Sequence, residues 1–153
     1  MALGIYIKCL ILGKSLKKFL PDFEKYIEMK KGGLRMRASY GEIKIEDILR
    51  DAGLNFKMEY IFPDLRSPNG RPLRFDFVVF DDDGKIDFII EYQGKQHYEP
   101  SSKFGGKKGF YQQVYNDNLK RRFCALHDFK LIEVPYTEEN LINYDYLMAK
   151  AGY

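Results

Sequence analysis

Residues 74–93 read RFDFVVFDDDGKIDFIIEYQ, and this stretch decides the fold. Arg74 to Phe80 and Lys85 to Gln93 are rich in aromatic and β-branched residues, with Asp81-Asp82-Asp83-Gly84 between them. That pattern predicts two antiparallel strands joined by a tight turn, both central in a sheet. With Asp83-Gly84 as a two-residue turn, Asp82 faces Lys85, and counting back sets Asp76 opposite Glu91 and Arg74 opposite Gln93, while a register one step off would make the acids diagonal neighbours. Alternation puts Glu91 and Gln93 on one side of their strand and turns Asp76 away from Phe75 and Phe77. Two carboxylates this close repel unless a proton or cation lies between them, and burying one unpaired is costly.

The flanks supply the rest of an α/β unit. Upstream, Ser39 with Glu42 three positions later is a capping-box pattern, and Ile45, Ile48 and Leu49 give the helix behind it an apolar face that Gly53 ends. A strand from Phe56 to Phe62 follows, with Phe56, Met58, Tyr60 and Phe62 expected on one face, then the turn-rich loop PDLRSPNGRP. Downstream, the basic loop SSKFGGKKG leads to a helix over about 110–127, marked by Tyr111, Tyr115, Leu119, Phe123 and Leu126. Lys130 to Val134 reads as a short strand, and Thr137 as the cap of a last helical piece carrying Leu141, Tyr144 and Leu147. The order helix, three strands, helix, strand, helix predicts a mixed β-sheet flanked by helices. Residues 14–30 carry a helical period broken at Pro21, so 1–37 is read as an N-terminal extension and 38–153 as the main domain.

Composition narrows the class. A chain of 153 residues without a Pro/Gly/Ser-rich linker suits one domain, and 45% hydrophobic with 31% charged residues argues against disorder or a membrane protein. The net charge of +3 is too small by itself to indicate a nucleic-acid partner, so local bunching of Lys and Arg has to carry that argument. Cys9 and Cys124 lack metal-ligand spacing and suit a reducing, intracellular setting. The apolar opening MALGIYIKCLILG contains Lys8, lacks a basic leader and is too short for a membrane helix.

Two accounts of the acid pair stand side by side. In one, Arg74 pairs with Glu91 while Asp76 accepts backbone hydrogen bonds. In the other, the acids hold a hard divalent cation such as Mg²⁺, which activates water and stabilises charge on a phosphate. The strand runs on into Gly94, which lets the backbone turn or approach a ligand closely, and His97, suited to proton exchange near neutral pH. Other residues have simple structural explanations: Glu42 in its capping box, Asp117 paired with Arg121 one turn later, His127 at a helix C-terminus. Asp64 sits among turn residues, and Asp81 to Asp83 form a solvated turn.

Taken in order, Glu42, Asp76 in RFDF, Gln93 in EYQGKQH, His97, and Asp117 in YQQVYNDNLKRR, together with FPDLRSPNGRPLRFDF and VPYTE, carry a resemblance. Residues 40–139 resemble the very-short-patch-repair-like branch of the PD-(D/E)XK nuclease superfamily, in particular the phage homing endonucleases with an E-D-x-H-D signature. The resemblance implies a restriction-endonuclease-like core and Mg²⁺- or Mn²⁺-dependent hydrolysis of DNA phosphodiesters. On it, Asp76 would be the principal metal ligand, joined by Glu91, and His97 the general acid/base, with Glu42 and Asp117 as supporting carboxylates. Gln93 stands where the wider superfamily has a lysine, a role that His97 or Lys95 would then have to cover. Lys95, Lys103, Lys107, Lys108, Lys120 and Arg121 flank these positions and are candidates to neutralise DNA phosphates, with Tyr98, Phe104 and Tyr111 as candidates to stack on bases.

The implied partner is DNA, in an intracellular compartment that would be the host cytoplasm for a phage-encoded chain. Whether one copy nicks or a homodimer cuts both strands is open. Two further readings stay open as well: a structure-specific nuclease for branched or mismatched DNA, and a catalytically silent nucleic-acid-binding module.

Overall fold

The computed structural model describes residues 39–100, 102 and 105–153. The expected extension 1–37, with Cys9, and the positions Lys103 and Phe104 lie outside them. Helix α1 (Tyr40–Asp51) starts at a complete capping box: the Glu42 amide donates to Ser39 Oγ (3.3 Å) and the Ser39 amide to Glu42 Oε2 (2.8 Å). Strands β1 (Asn55–Arg66), β2 (Pro72–Phe80) and β3 (Ile86–Gln93) follow, then a 3₁₀ turn (Lys95–His97) and helix α2 (Gly106–Leu126). Strand β4 (Lys130–Pro135), a second 3₁₀ turn (Tyr136–Leu141) and helix α3 (Tyr144–Ala151) complete the order.

The sheet runs β1-β2-β3-β4, antiparallel for its first two pairs and parallel between β3 and β4. A parallel pair needs a crossover, and α2 supplies it. One core joins Ile45 and Leu49 of α1 and Leu147 and Ala151 of α3 to Phe77, Val79, Phe88, Ile90, Tyr92, Ile132 and Val134. The other packs Phe123 and Cys124 of α2 on Leu65, Leu73, Phe75, Val78 and Ile89. The chain is thus an α/β unit with a four-stranded mixed sheet between helices, as expected, and the 74–93 hairpin is central.

The hairpin reaches its expected register by another route. Instead of a two-residue turn, the Asp81 amide donates to the Lys85 carbonyl (2.9 Å), and Asp81 Oδ1 accepts from the Asp83 and Lys85 amides. A register shift between Val79 and Phe80 offsets the longer loop. Phe77 therefore pairs with Ile90, and the next step sets Asp76 beside Glu91.

Alternation fails at one level of the sheet. Phe56 and Met58 pack with the first core but Tyr60 and Phe62 with the second, so these four do not share a face. Between them Glu59 has φ +51°, a left-handed conformation that rotates the strand about its axis. Strand β2 makes the matching switch, with Phe75 and Phe77 in opposite cores and Asp76 at the crossing point. Asp76 therefore does not simply face away from both phenylalanines.

Two helices also depart from expectation. Helix α2 begins four residues earlier than the sequence suggests, and Tyr111 and Leu126 from its presumed apolar stripe are 69% and 83% exposed. The four-residue steps from Tyr111 to Phe123 drift by about 40° per step on a 3.6-residue helix, so Leu119 and Phe123 reach the core while Tyr111 does not, and Leu126 is the last residue of the helix. Helix α3 is capped by Asn143, whose Oδ1 accepts from the Tyr146 amide (2.8 Å), while Thr137 lies in the preceding 3₁₀ turn. No helix among the described residues is long and apolar enough to cross a membrane.

The approach of α1 to the sheet is set by Gly41, where an added Cβ would fall 2.1 Å from the Tyr92 ring. Gly41→Ala should destabilise the protein by about 1–3 kcal/mol, read as a lower urea midpoint. Gly94 gives the contrast. Its φ of −65° is open to any residue, and an added Cβ would meet only the mobile Gln96 side chain. Gly94→Ala should stay within about 0.5 kcal/mol, so the backbone there does not depend on glycine.

Candidate active site

The level at which alternation fails is also where the acids gather. Met58↔Phe77 and Tyr60↔Phe75 bracket Glu59 opposite Asp76, Asp76 lies beside Glu91, and Glu91 pairs with Glu133. Each strand thus brings one carboxylate to a single row across the sheet. Ladder bonds between β2 and β3 give way here to side chains: the Tyr92 amide donates to Asp76 Oδ2 (2.8 Å) and the Asp76 amide to Glu91 Oε1 (3.3 Å).

A cleft of about 480 Å³ opens over this point. Its walls include Glu42 from α1, Glu59, Asp76 and Glu91 from the sheet, His97 from the 3₁₀ turn and Asp117 from α2. Five carboxylates thus face two permanent cations, Arg74 and Lys120. The cations do not fall where the sequence suggested. Arg74 pairs with Glu59 (2.8 Å), not Glu91, and Lys120 Nζ reaches both Glu91 oxygens, at 2.9 and 2.8 Å. Lys120 is mostly buried, with its ammonium 5.3 Å from the Phe75 ring centroid, and it lines the cleft itself.

Burial raises three of the acids. It pushes the Glu91 carboxyl up to about 8, against the opposing pull of Lys120 and with a further push from Asp76. Asp76 is raised by burial, opposed chiefly by the Tyr92 amide and the charge on Lys120. Glu42 is raised by burial and next by the Asp76 carboxylate, so its capping role coexists with membership of the acid cluster.

His97 and Asp117, twenty residues apart in sequence, meet through Nδ1 and Oδ2 at 2.9 Å, both largely buried. Asp117 is therefore not tied to Arg121, which instead holds Glu133 and Asn118. A carboxylate only accepts, so Nδ1 carries a proton, and in the neutral imidazole Nε2 is then the nitrogen with the lone pair. This is the arrangement of an oriented general base.

Gln93 is not among the residues lining the cleft. Its amide donates to Glu133 Oε1 and its carbonyl accepts from the Tyr98 hydroxyl (2.6 Å), fastening β3 to β4 and to the residue after His97. Lys95 is exposed and 3.4 Å from Glu99, and Arg121 is committed to Glu133, whereas Lys107 and Lys108 line a separate depression on α2. Asp64 lies in β1, exposed and 3.7 Å from His127 Nε2, away from the cleft. Cys124 is buried, its thiol pushed up to about 11, and is chemically inert.

Among the described residues, no group of three His, Cys, Asp or Glu side chains is arranged to hold a metal by itself. A Mg²⁺-type ion does not require one, because it takes one or two carboxylates and keeps several waters. The donor chemistry fits such an ion: hard oxygen ligands, an excess of negative charge, and Asp76 close enough to Glu42 to raise its carboxyl. Glu91 is less ready to bind it while both its oxygens are held by Lys120.

Sequence reasoning missed Glu59 and the site role of Lys120. Glu59 gives no sign, being one acid in an alternating strand. Lys120 gives a faint one, since Asp117 and Lys120 are three apart and share a helix face.

Three viral proteins align with part of the chain. Uncharacterized protein 307L of Invertebrate iridescent virus 6 is 43% identical over 63 residues, 40% of this chain and 32% of its own length. Uncharacterized protein 094L of Frog virus 3 is 47% identical over 57 residues, 36% of this chain and 37% of its own. Uncharacterized protein 033L of Invertebrate iridescent virus 3 is 49% identical over 49 residues, 31% of this chain and 25% of its own. The chain therefore spans only about a quarter to just over a third of these relatives. No protein-family model matches the chain, and no solved structure does.

The raised Glu91 has a consequence for stability. A carboxyl raised on folding contributes stability that is full below its unfolded value and is lost as pH rises through the folded one. For Glu91 that loss runs from about 4.5 to about 8. Glu91→Gln removes it, so the stability of Glu91→Gln relative to wild type should rise steadily with pH across this window. Urea melts of both proteins from acid to mildly alkaline pH measure it, and a difference that is flat or falls with pH contradicts the assignment.

Proposed function

We propose that this chain is a divalent-metal-dependent endonuclease that hydrolyses DNA phosphodiester bonds. One observation carries the reading: Glu42, Asp76, Glu91, His97 and Asp117, scattered over the sequence, line one cleft with an oriented histidine beside an acidic centre. The relation to the PD-(D/E)XK superfamily and its restriction-endonuclease-like core belongs to this proposal and rests on the motif order.

Asp76, fixed by the Tyr92 amide, would be the central ligand for Mg²⁺ or Mn²⁺. Glu42 would support it, whereas Glu91, with Lys120 on both its oxygens, would be the less available carboxylate. The bound ion would supply Lewis-acid charge opposite the scissile phosphate and acidify its water. Everything else falls to the chain. His97 Nε2 takes the proton of the attacking water, and Asp117 holds the ring in the tautomer that can do so. Lys120 keeps the negative charge on Glu91 from repelling the phosphate.

The test is relaxation of supercoiled plasmid in Mg²⁺ or Mn²⁺ against an EDTA control. Wild type should nick; Asp76→Ala should abolish nicking; His97→Ala should slow it by about 10²–10⁴-fold, the usual worth of general acid–base catalysis. Asp117→Asn should act in the same direction through the wrong tautomer. An inert wild type, or variants as active as it, defeats the reading. Linear duplex compared with four-way junctions and mismatches would then separate a general from a structure-specific nuclease.

A further inference from the structure

Helix α2 carries two faces with separate uses. Asn116, Asp117 and Lys120 turn into the acidic cleft, whereas Lys107, Lys108, Tyr111 and Tyr115 border a second depression of about 590 Å³ closed on one side by Pro68. Gln112 lines both hollows, so the two are adjacent. Tyr111 is 69% exposed and Tyr115 51%. Four residues apart, they stand one above the other on the same face, about 6 Å apart along the axis. Packing does not account for large rings left in water, since neither joins the core.

We propose that this face binds an unpaired, single-stranded segment of nucleic acid leading to or from the cleft. The proposal rests on the endonuclease reading for its substrate and makes that substrate one with a single-stranded arm or opening next to the cut. Tyr111 and Tyr115 offer flat rings on which successive bases stack, a contact tolerant of sequence because every base has a π-face. Lys107 and Lys108, one helical turn earlier, meet the phosphates of the same strand. The helix begins beside them with no acidic residue in its first turn, so no carboxylate there opposes a polyanion. A paired duplex keeps its bases stacked inside and has no face to give the tyrosines. The charge pattern along α2 gives the path a direction: a basic, aromatic surface collects the strand, and the acidic, metal-demanding cleft lies next to it.

Binding is measured in EDTA with a short fluorescein-labelled oligothymidylate and with a blunt duplex, by anisotropy on the full chain. The double variant Tyr111→Ala/Tyr115→Ala should weaken oligothymidylate binding by roughly tenfold or more and leave duplex binding nearly unchanged. The double variant Tyr111→Trp/Tyr115→Trp should keep it, because the ring and not the hydroxyl does the stacking. Lys107→Ala/Lys108→Ala should weaken binding and flatten the dependence of log affinity on log salt by about 1.4, two phosphate contacts to a single strand. Oligothymidylate binding that is absent in wild type, or indifferent to the tyrosines, overturns the proposal. Plasmid nicking by wild type with that indifference would leave the endonuclease reading intact and remove this surface from it. Tyrosine-dependent binding by a protein that cuts no DNA with any metal would keep the surface and defeat the endonuclease.

Discussion

The described part of this protein depends on one exchange between two strands. Where β2 and β3 reach Asp76 and Glu91, each strand gives up a main-chain acceptor and takes a carboxylate from the other side: the Tyr92 amide turns to Asp76, the Asp76 amide to Glu91. Both amides stay satisfied, so the gap in the ladder leaves neither of them without a partner. That gap lets β1 and β2 switch faces at Glu59 and Asp76. Without the switch the sheet would continue as a closed apolar surface. With it, a row of acids is held at a seam between two cores.

Electrostatics explains why this seam is tolerated. A buried carboxylate is expensive unless neutralised, and here the remedies differ from acid to acid. Glu59 takes Arg74, Glu133 takes Arg121, and Glu91 takes Lys120 while still favouring a proton up to about 8. Asp76 is satisfied mainly by an amide, a dipole and not a full charge, and Glu42 also relies on backbone, through its cap. Asp76 and Glu42 thus line the cleft with no cation among the described residues held directly against either carboxylate in an ion pair. A cation bound there would offset that charge, which supports the proposed metal on electrostatic grounds without drawing on the resemblance.

The readable parts of this architecture were the local ones. Ser39 and Glu42 are three residues apart and form their box whatever the rest of the chain does. The hairpin count took Asp76 beside Glu91 from an assumed two-residue turn, and that register holds across the longer loop because an apolar strand cannot slip by one residue without turning its core face outward. What escaped was set by neighbours distant in sequence. Nothing in NFKMEYIF announces a left-handed Glu59, because the conformation is imposed by the two cores that Met58 and Tyr60 must reach. The pairing of His97 with Asp117, and of Lys120 with Glu91, depends on where the crossover lays α2, and that follows from the parallel pairing of β3 and β4. The exposed Tyr111 was misread because four-residue steps look like a stripe in a sequence but wind around a real helix.

Gln93 shows how such placement changes the meaning of a residue. A lysine there would bring a cation along β3, but two already arrive from α2: Lys120 at Glu91 and Arg121 at Glu133, adjacent residues gripping acids that pair across β3 and β4. A third cation would compete for carboxylates already filled. The position needs a group that donates to Glu133 and accepts from the Tyr98 hydroxyl at once, which an amide does and an ammonium cannot. Tyr98 directly follows His97, so the Gln93 carbonyl tethers the turn that carries the imidazole to Asp117. Glutamine at this position thus serves the histidine, while the charge beside Glu91 is supplied from the helix.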